Sequence, residues 1–415
     1  MSAGSPIRIG MLLDHPFPPD PRVAQEGRSL VEDGQEVHLF CVDWAGQPKR
    51  ERVDGIEVHR YSMSKTFHNK AGALSLTLPL YTAWFRRRLA SFLKQHRIEA
   101  LHIHDLPLAA VGWQAARAHG IPLILDLHEN YPAALRTYGY ARSFLGRLLI
   151  WPSAWERFEK RMVHSADHIV VVIEEARDRI MSLAVPNERI SVVPNTVDLE
   201  TFLKFSLDAE LISRMPADRY RILYTGGFDE HRGLDTAVKA MALAVHGEET
   251  SKVHLEMTLV GTGRNRAALE RLAENLSVAD HLRFEGWQPY TTFPSYIAAS
   301  HVGLIPHLKT PHTDSTIPHK LFHYMCLGRP VIVTNCRPLE RIVKETGAGL
   351  VVPHSHPEAM ASAIHKLKDP ALRKEMGERG RKAVQEHYHW SRTIDPLLQL
   401  YRKIALKRNP REPVL

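Results

Sequence analysis

Two stretches of this chain combine residue types that could hold a phosphate. The first, Tyr224 to Asp235, places adjacent Gly226 and Gly227 five residues ahead of Arg232. Paired glycines let a backbone approach a ligand closely, and a guanidinium can grip two phosphate oxygens at once. An ordinary strand–helix turn carrying a surface arginine has the same pattern. The second, Thr316 to Thr334, reads as a loop, a helix opened by Pro318, a stop at Gly328 and Pro330, and a buried strand Val331–Val333. A helix starting beside the C-terminal end of a strand offers free amides and a positive dipole end, here at His319 and Lys320.

His319 and His323 stand four apart, a spacing able to chelate a metal, but no third ligand is evident. Nearer the N-terminus, His128 and Glu129 follow an apolar run that ends at Leu127. His104 and Asp105 end the preceding run, and Asp20 and Arg22 lie in the loop after the first. Each of these polar residues falls where a strand gives way to a loop. Asp20 also suits a simple helix cap.

The elements that would position them alternate. Ile7–Leu13, Val37–Val42, Ala100–His104, Leu123–Leu127, Ile169–Ile173 and Ile190–Val193 read as strands, with helices at Val23–Asp33 and Leu108–His119. After a polar, unpatterned stretch from Asp198 to Arg219 a second set follows. Its strands are Arg221–Tyr224, Leu255–Val260, Leu282–Phe284, Val302–Ile305, Val331–Val333 and Leu350–Val352, with a helix over Arg264–Asn275. This βαβ alternation predicts an α/β chain of doubly wound parallel sheets, and 415 residues suit two domains. Ligands of such sheets sit at the C-terminal strand ends.

Composition narrows the function. The net charge of +8 favours anionic ligands or membrane surfaces, yet the basic residues are spread out, unlike a nucleic-acid binder's patch. Gly261 and Gly263 form a weak dinucleotide signature, because Arg266 stands where a third glycine is needed. Cys41, Cys326 and Cys336 form no paired framework, which implies a reduced, cytoplasmic setting. Ile7–Leu13, broken by Arg8 and Gly10, reads as a strand and not as a signal peptide, and Ala71–Phe85 is too short to span a bilayer. Two stretches, Leu74–Leu93 and Phe144–Met162, mix Trp84, Phe85, Trp151, Trp155 and Phe158 with basic residues. They suit peripheral contact with an anionic membrane, or equally half-buried helices with a solvated basic side.

Taken in order, these motifs resemble those of retaining GT-B glycosyltransferases of family 4, over about residues 7 to 400. The resemblance implies two Rossmann-like domains, 1–200 for the acceptor and 201–390 for the donor, facing a central cleft. A C-terminal helix over 391–405 would pack back on the first domain. Pro194–Asp198 matches the family's hinge, with Thr196 for glycine.

The implied donor is a nucleotide diphosphate sugar bound by Gly226, Gly227, Arg232, Ser315, His319, Lys320 and His323, with Arg232 and His128 catalytic. Asp20, Arg22, His104, Asp105 and Glu129 would serve the acceptor, a lipid-linked glycan of cell-surface polysaccharide synthesis. No metal or other cofactor is implied. Among the donor-site positions the chain departs from the family in three places: Gly227 replaces an arginine, and Ser315 and His323 replace two carboxylates that meet donor hydroxyls. A catalytically silent GT-B partner, and less readily a nucleotide-sugar epimerase, are the other readings.

Overall fold

The computed structural model describes residues 6–71, 76, 80–136, 151–215, 218–247 and 254–408. Parts of the two aromatic–basic stretches (74–75, 77–79 and 144–150) and the tail 409–415 lie outside the described residues. The chain forms two compact units, residues 1–194 with 394–415, and residues 195–393. The sequence reading put the division at 200/201; here it falls at 194/195, inside Pro194–Asp198.

The first unit holds eight strands: β1 (Arg8–Leu12), β2 (Glu36–Asp43), β3 (Arg50–Val53), β4 (Ile56–Ser62), β5 (Ala100–His104), β6 (Leu123–Leu127), β7 (His168–Val171) and β8 (Ile190–Val192). Their order is β3-β4-β2-β1-β5-β6-β7-β8, parallel except for the β3–β4 hairpin. The core strands β5 and β6 are buried along their whole length, as strands under helices on both faces should be, and they carry His102, His104 and Asp126 inside with their apolar residues. The hairpin is a correction to the sequence reading, which left 50–62 without strands. Arg50, Glu51 and Arg52 carry no apolar signal, and β4 buries His59 and Arg60 among its apolar residues.

Helix Asp395–Arg408 belongs to this unit. Its Tyr401 is fully buried and its hydroxyl lies 2.9 Å from His102 Nδ1, while Arg402 pairs with Asp33.

The second unit holds six parallel strands: β9 (Arg219–Thr225), β10 (His254–Val260), β11 (Leu282–Gly286), β12 (Val302–Ile305), β13 (Val331–Thr334) and β14 (Gly349–Val352). The order β11-β10-β9-β12-β13-β14 is the 3-2-1-4-5-6 arrangement of a doubly wound sheet, whose switch point lies between β9 and β12. Its core packs Tyr224, Phe228, Met241, Leu259 and Leu304. The stretch 198–219, read from sequence as unpatterned, contains short helices Leu199–Lys204 and Ala209–Ser213, each capped by an aspartate accepting from an amide.

The aromatic–basic helices are mostly core. Tyr81, Phe85, Phe92, Trp155 and Phe158 are buried, leaving Trp151 exposed with Arg86 and Arg87. Among the described residues no helix is long and apolar enough to cross a membrane.

Candidate functional site

In the second unit the candidates gather at the switch point. Gly226 ends the turn after β9 with φ +137°, a conformation that favours glycine, and donates to Val260 O at 2.9 Å. A Cβ built on it would lie 2.6 Å from Lys320 Nζ. Gly227 O accepts from the buried Tyr224 hydroxyl at 2.6 Å. A single helical turn, Glu230–Arg232, then brings Arg232 Nη1 to 3.2 Å from Nε2 of His307, in the loop after β12. Because arginine can only donate, His307 must accept through an unprotonated Nε2.

Lys320 starts the short helix Lys320–Cys326, so Pro318 precedes that helix and does not open it as the sequence reading had it. The Lys320 side chain turns back over the ring of Tyr224, Nζ lying 3.8 Å from its centre. The residue is 9% exposed and Nζ has no hydrogen-bond partner; nor does Arg232 Nε. Burial, then the neighbouring Arg232, push the Lys320 ammonium well below its ordinary range. The same two causes depress His231, to about 4; in His312, at about 3, the charge of His231 acts ahead of that of Arg232. His307 is depressed by burial first, then by Arg232 and Lys320.

A buried lysine and a half-buried arginine therefore share one site, and among the described residues neither has a carboxylate partner. An unpaired buried charge is costly, and a bound anion is the ordinary remedy. Sequence reasoning gave Lys320 an amide role at a helix start. The geometry shows its side chain beside the glycine turn, where the arginine replaced by Gly227 would have supplied a cation.

The positions that lack carboxylates are filled by neutral groups with partners of their own. Ser315 is buried and its hydroxyl donates to Pro311 O at 2.8 Å. The adjacent carboxylate, Asp314, is engaged by Lys309 and by the Arg337 amide. His323 stacks on Phe202 with ring centres 4.6 Å apart and lies 2.9 Å from the Tyr290 hydroxyl through Nε2. Burial, then the charges of His319 and Lys320, push His323 down to about 3, so it is neutral. The His319 and His323 rings lie 6.3 Å apart, and among the described residues this pair joins no cluster of three metal-type ligands.

In the first unit the candidates lie at the ends of β1, β5 and β6. His128 is held between two carboxylates: Nε2 is 2.9 Å from Asp126 Oδ2 and Nδ1 is 3.3 Å from Asp105 Oδ2. Asp105 also accepts from the His128 amide at 3.1 Å, with φ +66° at Asp105 itself. Burial opposes a charge on His128, but Asp105 and Asp126 outweigh it and hold the ring well above its ordinary range. With both nitrogens on carboxylates, an imidazolium in this position cannot accept a proton.

Asp126 is the hub, and sequence reasoning missed it. The signal was present: an aspartate inside the apolar run Leu123–Leu127. Arg22 donates to it through Nε (3.1 Å) and Nη2 (2.9 Å), and His104 Nδ1 is 3.5 Å away. Burial would raise the Asp126 carboxyl; Arg22 and His128 overcome that and keep it ionised. Glu26, facing the same guanidinium, is pushed up by burial to about 8 and holds a proton.

Arg22 is thus a correction to its acceptor role. It is 4% exposed, its guanidinium is committed to Asp126, Glu26 and Val193 O, and it acts through the charge beneath His128. Asp20 caps helix Pro21–Glu32, accepting from the Val23 amide at 3.1 Å. His104 is buried, with Nδ1 3.3 Å from His128 Nε2, and Glu129 is half-buried beside His128.

Two doubly wound sheets with these switch-point loops define the GT-B class of glycosyltransferases. Residues 22–201 match the profile described as Glycosyltransferase Family 4, and residues 211–383 match Glycosyl transferases group 1. Together the matches take in most of the chain, which belongs to the family-4 type of GT-B glycosyltransferases and is a transferase enzyme. It is 26% identical over 395 residues to a D-inositol 3-phosphate glycosyltransferase of Thermomonospora curvata, covering 91% of this chain and 89% of that one. Sucrose-phosphate synthase of Thermosynechococcus elongatus has the same fold, with a TM-score of 0.76 and 21% identity over 96% of this chain and 99% of that one. HepE of Anabaena, solved with UDP and glucose, matches at 0.71 and 12% identity, covering 96% and 100%.

Proposed function

We propose that this glycosyltransferase moves a sugar from a nucleotide diphosphate donor to an acceptor hydroxyl with retention of anomeric configuration. The observation that carries the reading is the pairing of half-buried Arg232 with buried Lys320, without a carboxylate between them. A diphosphate leaving group brings two negative charges that fit this pair. Preorganised charge at a departing group is commonly the largest single contribution to such catalysis.

In the proposed step the bond from the anomeric carbon to the diphosphate oxygen breaks, and both electrons leave with the phosphate. The acceptor oxygen bonds to the same face of that carbon and passes its proton to the departing phosphate oxygen. No metal or cofactor takes part, because the two side-chain cations supply the charge a divalent ion would. His128 positions and does not act as a base, since Asp105 and Asp126 occupy both ring nitrogens. A hydroxyl reaches the ring only by displacing Asp105, the partly exposed partner.

For the acceptor, the name of the relative favours a small phosphorylated polyol. The lipid-linked glycan of polysaccharide synthesis, with residence at the inner face of a membrane, rests on less. Exposed Trp151, Arg86 and Arg87 support it, while Phe85, Trp155 and Phe158 are core and Trp84 is half-buried.

The test is turnover of UDP-, GDP-, ADP- and TDP-sugars in the presence of a chelator, with an inositol phosphate or a lipid-linked glycan as acceptor. One donor is expected to be slowly hydrolysed alone, then transferred with the anomeric proton coupling unchanged. Binding without turnover would instead make this a silent partner, and epimer formation an epimerase.

A further inference from the structure

Three histidines from three elements of the first unit, none of them among the candidates above, meet on one face of its sheet. His38 lies near the start of β2, His59 in the middle of β4, and His96 directly after helix Leu80–Gln95. Nδ1 of His38 is 3.3 Å from Nε2 of His59. Ring centres are 5.5 Å apart for His38 and His59, 5.0 Å for His38 and His96, and 4.2 Å for His59 and His96. One nitrogen of each lies within 4.8 Å of the others.

We propose that His38, His59 and His96 bind a divalent transition-metal ion of the zinc class, which clips the neighbouring strands β2 and β4 to the helix above them. The geometry is close to what such an ion needs. Metal–nitrogen bonds of about 2.0–2.1 Å at tetrahedral angles put ligand nitrogens about 3.3 Å apart and ring centres about 5 Å apart. The His38–His59 pair already has the first spacing, and two of the three ring separations match the second. The third ring needs to shift by roughly an ångström to complete the set.

The protonation state also suits a metal. Burial pushes all three rings below their ordinary range, His59 to about 3, toward the neutral form that ligates a metal. Among the described residues the His96 ring has no hydrogen-bond partner. The surroundings are mixed in charge: Glu36 and Glu57 favour a cation here, Arg8 and Arg50 oppose it. Phe92 packs edge-on against His59, ring centres 5.4 Å apart, and 5.1 Å from His96, restricting both rings. A fourth position would be left to water, and the ion would take no part in sugar transfer.

The test uses the full chain without a histidine tag, stripped with a chelator and titrated calorimetrically with Zn²⁺, and in parallel with Co²⁺ as a spectroscopic stand-in. Expected are one ion per chain, the intense visible bands of tetrahedral cobalt, and a thermal midpoint raised by several degrees. His38→Gln and His96→Gln should each weaken binding by about a hundredfold or more, beyond the loss typical of an outer partner, and should abolish the thermal gain. Donor hydrolysis should be unchanged in both. The proposal is overturned if no stoichiometric binding is found, or if binding survives both substitutions. Survival would move the ion to another cluster, such as Asp14, His15 and His68.

Discussion

Lys320 Nζ sits 3.8 Å from the centre of the Tyr224 ring, beside Gly226, with no acceptor in reach. The aromatic face offers partial compensation, worth about 2 kcal/mol when desolvated, and less than a buried ammonium loses on leaving water. The side chain is therefore held in place at the expense of stability, as expected of a group whose partner is a ligand.

Lys320→Ala and Arg232→Ala should each lower kcat/KM by about 10²–10³-fold, the range seen when one preorganised donor to a developing anion is removed. Lys320→Ala should leave the thermal midpoint of the free chain unchanged or raised, because an unpaired buried charge disappears. A fall in stability with activity intact would make Lys320 a structural residue. Steady-state kinetics and a melting curve on the same preparation decide.

Donor affinity should rise as pH falls. Burial and Arg232 hold Lys320 below its ordinary range in the free chain, and a bound diphosphate would act in the opposite direction and strengthen its hold on the proton. Binding of an intact nucleotide sugar, whose diphosphate does not titrate near neutrality, should thus take up protons. Calorimetry in buffers of different ionisation enthalpy reads this directly. Zero uptake in the wild type, or equal uptake in Lys320→Met, would contradict it.

Gly226→Ala places a methyl group 2.6 Å from Lys320 Nζ on a backbone with φ +137°. The strain should cost roughly 1–3 kcal/mol, and displacement of the ammonium should raise KM for the donor. Gly227 has ordinary φ and no comparable clash, so Gly227→Ala should be the milder variant.

His128 should make stability fall on the alkaline side. Its folded pKa lies above the unfolded 6.5, so the folded chain binds more protons there. The contribution is fully present below pH about 6.5 and is lost as pH rises through the folded value. Asp126 behaves oppositely: its folded pKa lies below 3.8, so its contribution is present above that value and lost as pH falls through the folded one. His128→Gln should cost about 1–3 kcal/mol at pH 6 and less at pH 9. Denaturant midpoints at the two pH values check it; an equal gap at both would refute the imidazolium.

Much of the fold was legible because strands such as β12 and β13 are short apolar runs bounded by turn residues, and such runs have few other uses. The hairpin β3–β4 was not, because its burial of His59 and Arg60 depends on neighbours that no local pattern reveals. Among the candidate residues of the two units, Arg232 and His128 could each be read from its own loop. The side-chain role of Lys320 could not, since it depends on a contact across 94 positions of sequence with Gly226. The clue was the cation missing at Gly227. Arg22 misled for the opposite reason: a loop arginine reads as exposed, and Asp126, which buries it, lies 104 residues away.

The most direct measurement is a crystal structure of the chain soaked with UDP or GDP. The account predicts the terminal phosphate within about 3 Å of both the Arg232 guanidinium and Lys320 Nζ, with Lys320 turned from Tyr224 toward the phosphate oxygens. A nucleotide bound elsewhere, or a phosphate at this turn with Lys320 still over Tyr224 and Arg232 still on His307, would contradict it.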